Sequence, residues 1–325
     1  MSRNDILFQT VRPYQQNNYL FCEDRKLPTV ASTGYAVFRT QYDVQFLYAL
    51  IHTKHFLSSV LSRCTGTSFP AVSASDIEDI IIWAPSVDEQ QEIGELFRLL
   101  NVKIRKQKAL VEALKKYKRG VMQHIFRQLP SRNGAEWTCV RLGDIFKKVS
   151  RRNTDGVIKN VITNSAEYGL IPQRDFFDKD IAVDGNTANY YVIENGDFVY
   201  NPRKSNSAPY GPFNRYALSE QGIISPLYTC LVLQADISPS YLAWYFKSDA
   251  WYRYIYDNGS QGVRHDRVSM TDDLLMGIPV MYPSHVKQLL YADILDMVEA
   301  RLQATQKTLD FLNKMRDGYM RQLFI

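Results

Sequence analysis

The stretch PSVDEQQEIGELFRLLNVKIRKQKALVEALKKYKRGVMQHIF, residues 85–126, has a second version in PSHVKQLLYADILDMVEARLQATQKTLDFLNKMRDGYMRQLF, residues 283–324. The two versions align without a gap at a constant offset of 198 positions. Identical residues recur along the whole alignment: Pro85/Pro283, Gln90/Gln288, Gly120/Gly318, Met122/Met320 and Phe126/Phe324. Repetition of a long segment predicts an architecture of two equivalent units.

Both segments carry apolar residues at spacings of three and four, which is typical of a helix that pairs with another helix along a seam. The first seam is Phe97, Leu100, Ile104, Gln107, Val111, Leu114, Lys118, Val121 and Ile125. The second seam is Leu295, Val298, Leu302, Thr305, Leu309, Leu312, Arg316, Tyr319 and Leu323. We expect the two helices to pair antiparallel, which would bring Gln107 to Thr305. The alternative is that each helix packs only on its own domain.

Positive charge is concentrated in the first long helix. Residues 1–85 hold 7 basic and 7 acidic residues, and residues 137–285 hold 15 and 16. Residues 86–129 hold 10 basic residues against 5 acidic ones. The basic stripe of this helix comprises Lys103, Arg105, Lys106, Lys108, Lys115, Lys116, Lys118 and Arg119. Such a stripe fits nucleic-acid phosphates, an acidic protein groove or a solvated helix face.

The repetition extends into the segments that precede the long helices. NDILFQTVR at residues 4–12 resembles GDFVYNPR at 196–203, and each ends on an arginine. The opening of the second module, residues 137–195, has no counterpart before Asn4, so we expect the first module to be incomplete at its N-terminal side. The predicted domains are a partial first module, a long helix, a second module and a second long helix, at residues 1–84, 85–129, 130–282 and 283–325.

Composition and motifs favour a soluble, non-catalytic protein. No apolar run reaches the length of a membrane-spanning helix, and the four cysteines form no CxxC pair, so we expect cytoplasmic residence without a metal or cofactor. Phosphate-binding glycine loops are missing from the sequence. Asn201 and Pro202 match only the start of the Asn-Pro-Pro-aromatic motif of amino-methyltransferases, because Arg203 follows. His52 and His55 lie one helical turn apart and fit a surface pair better than a metal site.

The ordered motifs resemble the DNA specificity subunit of type I restriction-modification systems. The helix led by EQQ resembles the central conserved region of that family, and EWTCVRLGDIFKKVSRRN, residues 136–153, resembles the start of its second target recognition domain. This resemblance covers essentially the whole chain. It implies two target recognition domains that each read half of a bipartite DNA site, with the paired helices as a spacer. The second long helix departs from the pattern, because it has KQLL at residues 287–290 where the first helix has EQQE. We expect this altered helix start to weaken the docking of one partner.

The resemblance also implies partners and DNA contacts. The implied partners are double-stranded DNA, DNA methyltransferase (modification) subunits and a restriction/translocase subunit, with self-association as a further expectation. Basic and amide residues in loops are the candidates for DNA contact. The candidates are Arg12, Ser68, Lys147, Lys148, Arg151, Arg152, Arg203, Lys204, Asn206, Arg264, His265 and Arg267. For each cluster the alternative is a solvated charge or an internal ion pair. Likewise, the aromatic residues of 241–256 fit either base stacking or a packed core.

We therefore expect an α+β protein of two similar target recognition domains, the first partial, joined by two long helices in an antiparallel coiled coil. The expected function is sequence-specific recognition of duplex DNA within a type I restriction-modification complex, without catalysis by this chain. Its partner contacts are predicted at Phe97, Leu100, Ile104, Gln107, Val111, Leu114, Leu302, Thr305, Leu309 and Leu312. The alternative is a truncated subunit that serves as a helical assembly or dimerisation module without full DNA recognition.

Overall fold

A computed structural model describes residues 1–22, 29–175, 187–259 and 266–324. The chain divides into two compact units, each of which contains one module and part of each long helix. Unit 1 comprises Met1–Ala113 and Leu302–Ile325, and unit 2 comprises Leu114–Arg301. Within the described ranges, none of the helices has the length and apolar character needed to cross a bilayer.

Unit 1 packs short helices against a small antiparallel sheet. Among the described residues, the strands of this sheet lie in the order β2-β1-β3, with β1 in the centre. The strands are β1 Ile6–Gln9, β2 Tyr19–Leu20 and β3 Tyr35–Phe38. The short helices are α1 Val44–Leu50, α2 Lys54–Leu61 and α3 Ala74–Glu78, and a 3₁₀ turn spans Pro13–Gln15. The core between sheet and helices contains Ile6, Phe8, Phe46, Leu50 and Val60.

The long helices have similar lengths. The first, α4, spans Val87–Gln123 and continues through a π-helical turn at His124–Gln128 into α5, Leu129–Arg132. The second, α10, spans His285–Leu323.

Unit 2 has a larger set of strands. The first strands are β4 Thr138–Arg141, β5 Phe146–Val149, β6 Ile162–Ser165 and β7 Gly169–Pro172. They are followed by β8 Tyr191–Ile193, β9 Phe198–Tyr200, β10 Phe213–Arg215, β11 Gly222–Ile224, β12 Thr229–Leu233 and β13 Pro279–Tyr282. Its short helices are α6 Leu142–Ile145, α7 Pro239–Lys247, α8 Tyr252–Asn258 and α9 Asp272–Met276. A four-stranded sheet has the order β10-β9-β12-β5, and the other strands form the two-stranded sheets β11-β8, β13-β4 and β6-β7. Two 3₁₀ turns span Gly134–Glu136 and Gln173–Asp175.

Within unit 1, α4 and α10 run antiparallel. The ring centroids of Phe97, early in α4, and Phe324, just after α10, are 5.6 Å apart. Gln107 Nε2 donates a hydrogen bond to the Thr305 carbonyl oxygen over 2.9 Å. The predicted proximity of these two polar seam residues is therefore confirmed. The side chain of Gln107 retains a partner although its neighbours are apolar, and this favours one register of the pair.

Unit 2 shows the same antiparallel arrangement in its own halves of the helices. Lys118 Nζ lies 2.8 Å from Glu299 Oε2, and both side chains are about a quarter exposed. Ile125 and Phe126 share a core with Ala292 and Leu295 of α10. The predicted α+β fold with an antiparallel coiled coil is thus the observed one.

The seam residues differ in burial along the helices. Phe97, Leu100, Val111, Leu302, Thr305, Leu309 and Leu312 are buried, whereas Ile104, Gln107 and Leu114 are half-buried. The stripe residues Lys103, Arg105, Lys106, Lys108, Lys116 and Arg119 are exposed. Apolar and basic positions therefore occupy different faces, as a two-helix seam requires.

The two modules repeat each other in backbone register. Strand β1 pairs with β3 so that Ile6 lies opposite Phe38, and β9 pairs with β12 so that Phe198 lies opposite Leu231. A buried aspartate precedes each of these strands, Asp5 before β1 and Asp197 before β9. The residue before each aspartate has a positive φ, 73° at Asn4 and 97° at Gly196. Asn and Gly are the residues that most readily adopt this left-handed conformation. The strand order β2-β1-β3 of unit 1 thus corresponds to β10-β9-β12 of unit 2, which adds β5.

A buried glutamine joins each long helix to its module. In unit 1, the Gln90 side chain accepts a hydrogen bond from the Asp43 backbone N–H over 3.1 Å and donates to the Pro85 carbonyl over 2.9 Å. Asp43 is the N-cap of α1, and its carboxylate accepts from the Phe46 backbone N–H. A Cβ at Gly94 would overlap Asp43 Oδ1 and lie 2.9 Å from the Phe46 nitrogen. The glycine therefore makes room for this N-cap.

In unit 2, Gln288 makes the equivalent hydrogen bonds between helix and module, but the packing around it differs. The Gln288 side chain accepts from the Ser238 backbone N–H over 2.8 Å and donates to the Pro283 carbonyl over 2.9 Å. Ser238 is the N-cap of α7, and it is shorter than aspartate. Ala292, at the position that corresponds to Gly94, fits here with only 2% exposure. The glutamine retained in both helices is thus a structural link between helix and module.

Candidate nucleic-acid interface

A network of buried asparagines fixes the loop that follows β9. Asn164 Nδ2 donates to the Val199 carbonyl over 2.9 Å, and Asn214 Nδ2 donates to Asn164 Oδ1 over 2.7 Å. Asn201 donates to the Asn164 carbonyl, and its Oδ1 accepts from the Arg203 backbone N–H over 3.0 Å. Buried amides that are fully engaged in this way make the backbone rigid. The network sets the direction in which the chain leaves the sheet at Arg203.

Gly211 closes the base of this loop. Its φ is 86°, and a Cβ there would overlap the Asn201 carbonyl oxygen. Tyr200, which is buried, donates from its hydroxyl to the Tyr210 carbonyl over 2.8 Å. Asn206, in the loop between Tyr200 and Tyr210, is exposed. A non-glycine residue at position 211 would be strained by its backbone angle and by lack of space.

Two loops that are distant in sequence meet at an arginine bridge, formed by Arg203 and Arg267 opposite each other in an antiparallel β-bridge. Val268 N donates to the Pro202 carbonyl, and Lys204 N donates to the Asp266 carbonyl, both over 2.9 Å. Within the described part of the chain, the carboxylate that contacts Arg267 is that of Asp266, at 3.9 Å. Like charges directly across a bridge destabilise each other. An anion between them would remove that repulsion.

Tyr228 interacts electrostatically with the arginine bridge. Burial raises the pKa of its hydroxyl, and the positive charges of Arg203 and Arg267 oppose that rise. The hydroxyl therefore stays protonated at neutral pH and can donate a hydrogen bond. We call Arg203, Lys204, Tyr228 and Arg267 the basic face. Its chemistry suits phosphate oxygens and the acceptor edges of guanine.

The predicted basic cluster of Lys147, Lys148, Arg151 and Arg152 lies within β5 and just after it, and its members have different surroundings. Arg152 forms a β-bridge with Tyr191, and its Nη1 donates to Asn189 Oδ1 over 3.0 Å. Lys148 pairs with Asp272, at 2.6 Å between Nζ and Oδ2, and Lys147 is exposed. The exposed pair of Lys148 with Asp272 contributes little to stability, because water screens it.

Arg151 has an internal ion pair. Its Nη1 lies 3.1 Å from Glu194 Oε2, and its Nη2 contacts Asp197 Oδ2. Asp197 is 5% exposed. Burial raises the pKa of this carboxyl, and the backbone N–H of Glu194 and the charge of Arg151 lower it. Arg151 therefore pairs with a buried carboxylate. This is the internal ion pair that the sequence analysis gave as the alternative to a DNA contact.

Two predicted residues of the same loop, Arg264 and His265, lie outside the described residues. Their neighbour Arg267 is described, and so is the bridge that it forms.

Unit 1 lacks an arginine bridge at the corresponding place. Its β-bridge joins Val11 to Ala71. Arg12 N donates to the Pro70 carbonyl over 2.7 Å, the contact that Lys204 makes in unit 2. The sequence comparison that set Arg12 on Arg203 was therefore wrong by one residue, because only the backbone pairing fixes the register.

The side chains at this end of unit 1 differ from those of the basic face as well. The Arg12 guanidinium lies 4.3 Å from the centroid of the Phe69 ring, and Ser68 is exposed in the same loop. An arginine on an aromatic face keeps its charge but is held by a cation–π contact. At the three matched bridge positions, unit 1 thus has Val11, Arg12 and Ala71 where unit 2 has Arg203, Lys204 and Arg267.

Several alternatives from the sequence are resolved by burial. Trp244, Tyr245 and Trp251 are buried in the core of unit 2, so these aromatic residues do not form a stacking surface. His52 Nδ1 lies 2.7 Å from the Tyr48 carbonyl, and His55 is exposed. Among the residues that the structure describes, no group of three side chains could hold a metal ion.

Sequence reasoning missed the role of Tyr228 and of Asn164 and Asn214. Tyr228 carried a signal, since it falls on Tyr35 in the repeat. The asparagines carried none, because each is polar in a loop-rich region and only their burial reveals the network.

By sequence, no family model and no curated protein matches the chain. By structure, it is similar to the S subunit of a type I restriction-modification system from M. genitalium, with a TM-score of 0.64 at 15% identity. That match covers all of this chain and 84% of the other. A second solved chain, from work on complex assembly and conformational transition of the type I R-M system, gives a TM-score of 0.56 at 19% identity, over all of this chain and 82% of the other.

A third solved chain, the HsdS subunit from Thermoanaerobacter tengcongensis, has a TM-score of 0.47 at 19% identity, over all of this chain and 81% of that one. The fold of this chain is thus the S-subunit fold of type I restriction-modification systems.

Proposed function

We propose that this chain recognises a specific sequence of double-stranded DNA as the non-catalytic specificity subunit of a type I restriction-modification complex. The observation that carries the proposal is the arginine bridge on an S-subunit fold. Backbone hydrogen bonds hold Arg203 and Arg267 side by side, and among the described residues the carboxylate contact of this pair is Asp266 with Arg267, at 3.9 Å. A site that keeps two cations together at a cost in stability fits an anionic ligand.

Within the basic face, the residues would have different roles. Arg203 and Arg267 can each donate two parallel hydrogen bonds to guanine or to a phosphate, and Lys204 supplies a point charge. Arg152 extends the same surface through its bridge with Tyr191, next to Tyr190, which also acts on the pKa of Tyr228. We assign Arg151 a positioning role, since its guanidinium is held by Glu194 and Asp197.

The domain boundaries remain part of the proposal. Unit 1 and unit 2 would each contribute one target recognition domain, at residues 1–84 and 130–282. The exposed basic stripe of α4 would contact a DNA methyltransferase subunit or DNA phosphates, and a restriction/translocase subunit would join through that partner. Seven of the eight stripe residues lie on the solvent side of the helix, and this supports a contact surface.

The proposal is tested by selecting bound duplexes from a random pool with the chain reconstituted with its methyltransferase subunit. We expect enrichment of one sequence. Arg203→Ala and Arg267→Ala should each weaken binding of the selected duplex at least tenfold and random duplex much less, since base-edge contacts discriminate. Arg253→Ala is the matched control, because it removes the same charge from an exposed i,i+4 pair with Asp257. Equal loss for selected and random duplexes, or equal loss in the control, would refute the assignment.

A second function is favoured by the difference between the units. Val11 and Ala71 replace the arginine bridge in unit 1, which suits a chain that assembles with partners but reads DNA through unit 2 alone or not at all. In that case the chain would form a complex with the methyltransferase subunit, seen as a larger mass in solution, and the random pool would yield no enriched sequence.

A further inference from the structure

A β-turn leads into β12 and ends on Tyr228 of the basic face. It comprises residues 225–228, and the Tyr228 backbone N–H donates to the Ser225 carbonyl over 3.1 Å. The Leu227 backbone N–H donates to Ser225 Oγ over 3.3 Å. Pro226 occupies the second position of the turn, where proline restricts the backbone. The turn is therefore stiff, and it holds Leu227 in one position.

Leu227 presents an apolar side chain to solvent. It is 62% exposed, although Ile224 before the turn and Cys230 after it are buried. A single exposed leucine is common on protein surfaces. Its significance therefore depends on the side chains that lie beside it.

The same turn occurs in unit 1 with glycine in place of the leucine. The Tyr35 backbone N–H donates to the Ser32 carbonyl over 3.1 Å, and the Gly34 N–H donates to Ser32 Oγ over 3.4 Å. These are the two hydrogen bonds of the turn in unit 2, so Gly34 holds the position of Leu227. A Cβ at Gly34 would lie 4.0 Å from Val11 Cγ2.

This geometry places the leucine beside Arg203. Val11 and Arg203 hold the same position in the two units, because each lies in the β-bridge at the end of the matching strand. The Leu227 side chain therefore leaves the backbone next to that of Arg203. Arg203 is itself exposed. An apolar side chain and a guanidinium thus lie side by side on the surface of unit 2.

We infer that Leu227 is a specificity-determining residue that contacts the 5-methyl group of a thymine next to the base pair read by Arg203. This role rests on the proposed DNA recognition. In the major groove, guanine offers two acceptors to arginine, and the methyl group is the apolar feature that marks thymine. Base pairs follow each other at about 3.4 Å along the duplex. Two adjacent side chains can therefore read two adjacent base pairs.

Contact with one methyl group has a defined magnitude. Uracil differs from thymine only in lacking this methyl, and removal of one such group from an apolar contact lowers affinity about fourfold. Because the turn is stiff, little side-chain and backbone freedom is lost when Leu227 makes the contact. Gly34 has no side chain with which to make it in unit 1.

Uracil scanning of the selected duplex tests the proposal. The full chain with its methyltransferase subunit binds the duplex selected from the random pool, in which each thymine is replaced in turn by uracil. We expect one position at which uracil weakens binding about fourfold. In Leu227→Ala the thymine and uracil forms should bind within about 1.5-fold of each other, because the contact is already lost. Leu227→Met keeps an apolar side chain of similar volume and should retain at least about twofold discrimination.

Leu218→Ala is the matched control. Leu218 is 36% exposed, and its carbonyl accepts from the Asn195 side chain, which precedes β9, whereas Arg203 follows that strand. The variant removes an exposed leucine away from the basic face and should leave the uracil effect unchanged. Both alanine variants should melt within about 2 °C of the parent, since exposed side chains contribute little to stability.

The proposal is overturned if no thymine position loses its discrimination in Leu227→Ala, or if Leu218→Ala abolishes it as well. Equal weakening of thymine, uracil and random duplexes by Leu227→Ala would also overturn it, because the leucine would then act as a wedge between bases.

The outcome for the proposed DNA recognition is read separately. A random pool without an enriched sequence would refute that function and this role together. An enriched sequence that Arg203→Ala weakens, but that contains no thymine coupled to Leu227, would refute the role of Leu227 alone.

Discussion

Replacement of Gln288 by alanine should destabilise unit 2 by about 2–4 kcal/mol. The side chain is 2% exposed and makes two hydrogen bonds, to the Ser238 N–H and to the Pro283 carbonyl. A buried polar group that loses its partner costs about 1–3 kcal/mol, and two groups lose a partner here. The Gln90→Ala variant should cost less, roughly 1–2 kcal/mol, because its hydrogen bonds are only partly buried and water can replace them.

The assay is urea unfolding followed by tryptophan fluorescence. Trp244 and Trp251 lie in the core of unit 2, so emission reports on that unit. Gln288→Met is the control for volume, because it fills a similar space without hydrogen bonds. We expect the methionine variant to be nearly as unstable as the alanine variant. A methionine variant within about 0.5 kcal/mol of the parent would show that packing and not hydrogen bonding stabilises this junction.

Three further predictions concern single sites. Gly94→Ala should destabilise unit 1 by about 1–3 kcal/mol in urea unfolding followed by circular dichroism, and Asp43→Ser in the same chain should recover part of that loss. Gly211→Ala should lower the thermal midpoint and weaken duplex binding, since φ 86° and the Asn201 carbonyl both exclude a Cβ; unchanged midpoints would contradict this. Burial lowers the pKa of His52 below 6.5, so its neutral form stabilises unit 1 and that contribution is lost as pH falls below 6.5. His52→Gln should reduce the pH dependence of stability between pH 7 and 5, and an unchanged pH dependence would refute this.

The sequence predicted the features that depend on the periodic spacing of apolar residues along a helix. The recurrence of apolar residues at three and four positions gave the two helices and placed Gln107 near Thr305, because side-chain direction along a helix is fixed by its geometry. The repeat also aligned Gln90 with Gln288, although the sequence gave no indication of the hydrogen bonds that each of them makes. The candidate site was less accessible to such reasoning. Arg203 and Arg267 were proposed as members of separate loops, and no local pattern indicated that they lie across one bridge.

Register and pairing were decided by tertiary structure. The sequence alone set Arg12 on Arg203, whereas the backbone pairing puts Val11 at that position, opposite Ala71. Arg151 looked like a loop cation until the fold placed it on buried Asp197. The sequence by itself therefore determined that the chain is a duplicated helix-and-module protein, since helical periodicity is a local property. The fold alone decided which charges face solvent and which loop residues lie side by side, because long-range hydrogen bonds and burial join residues that the sequence separates.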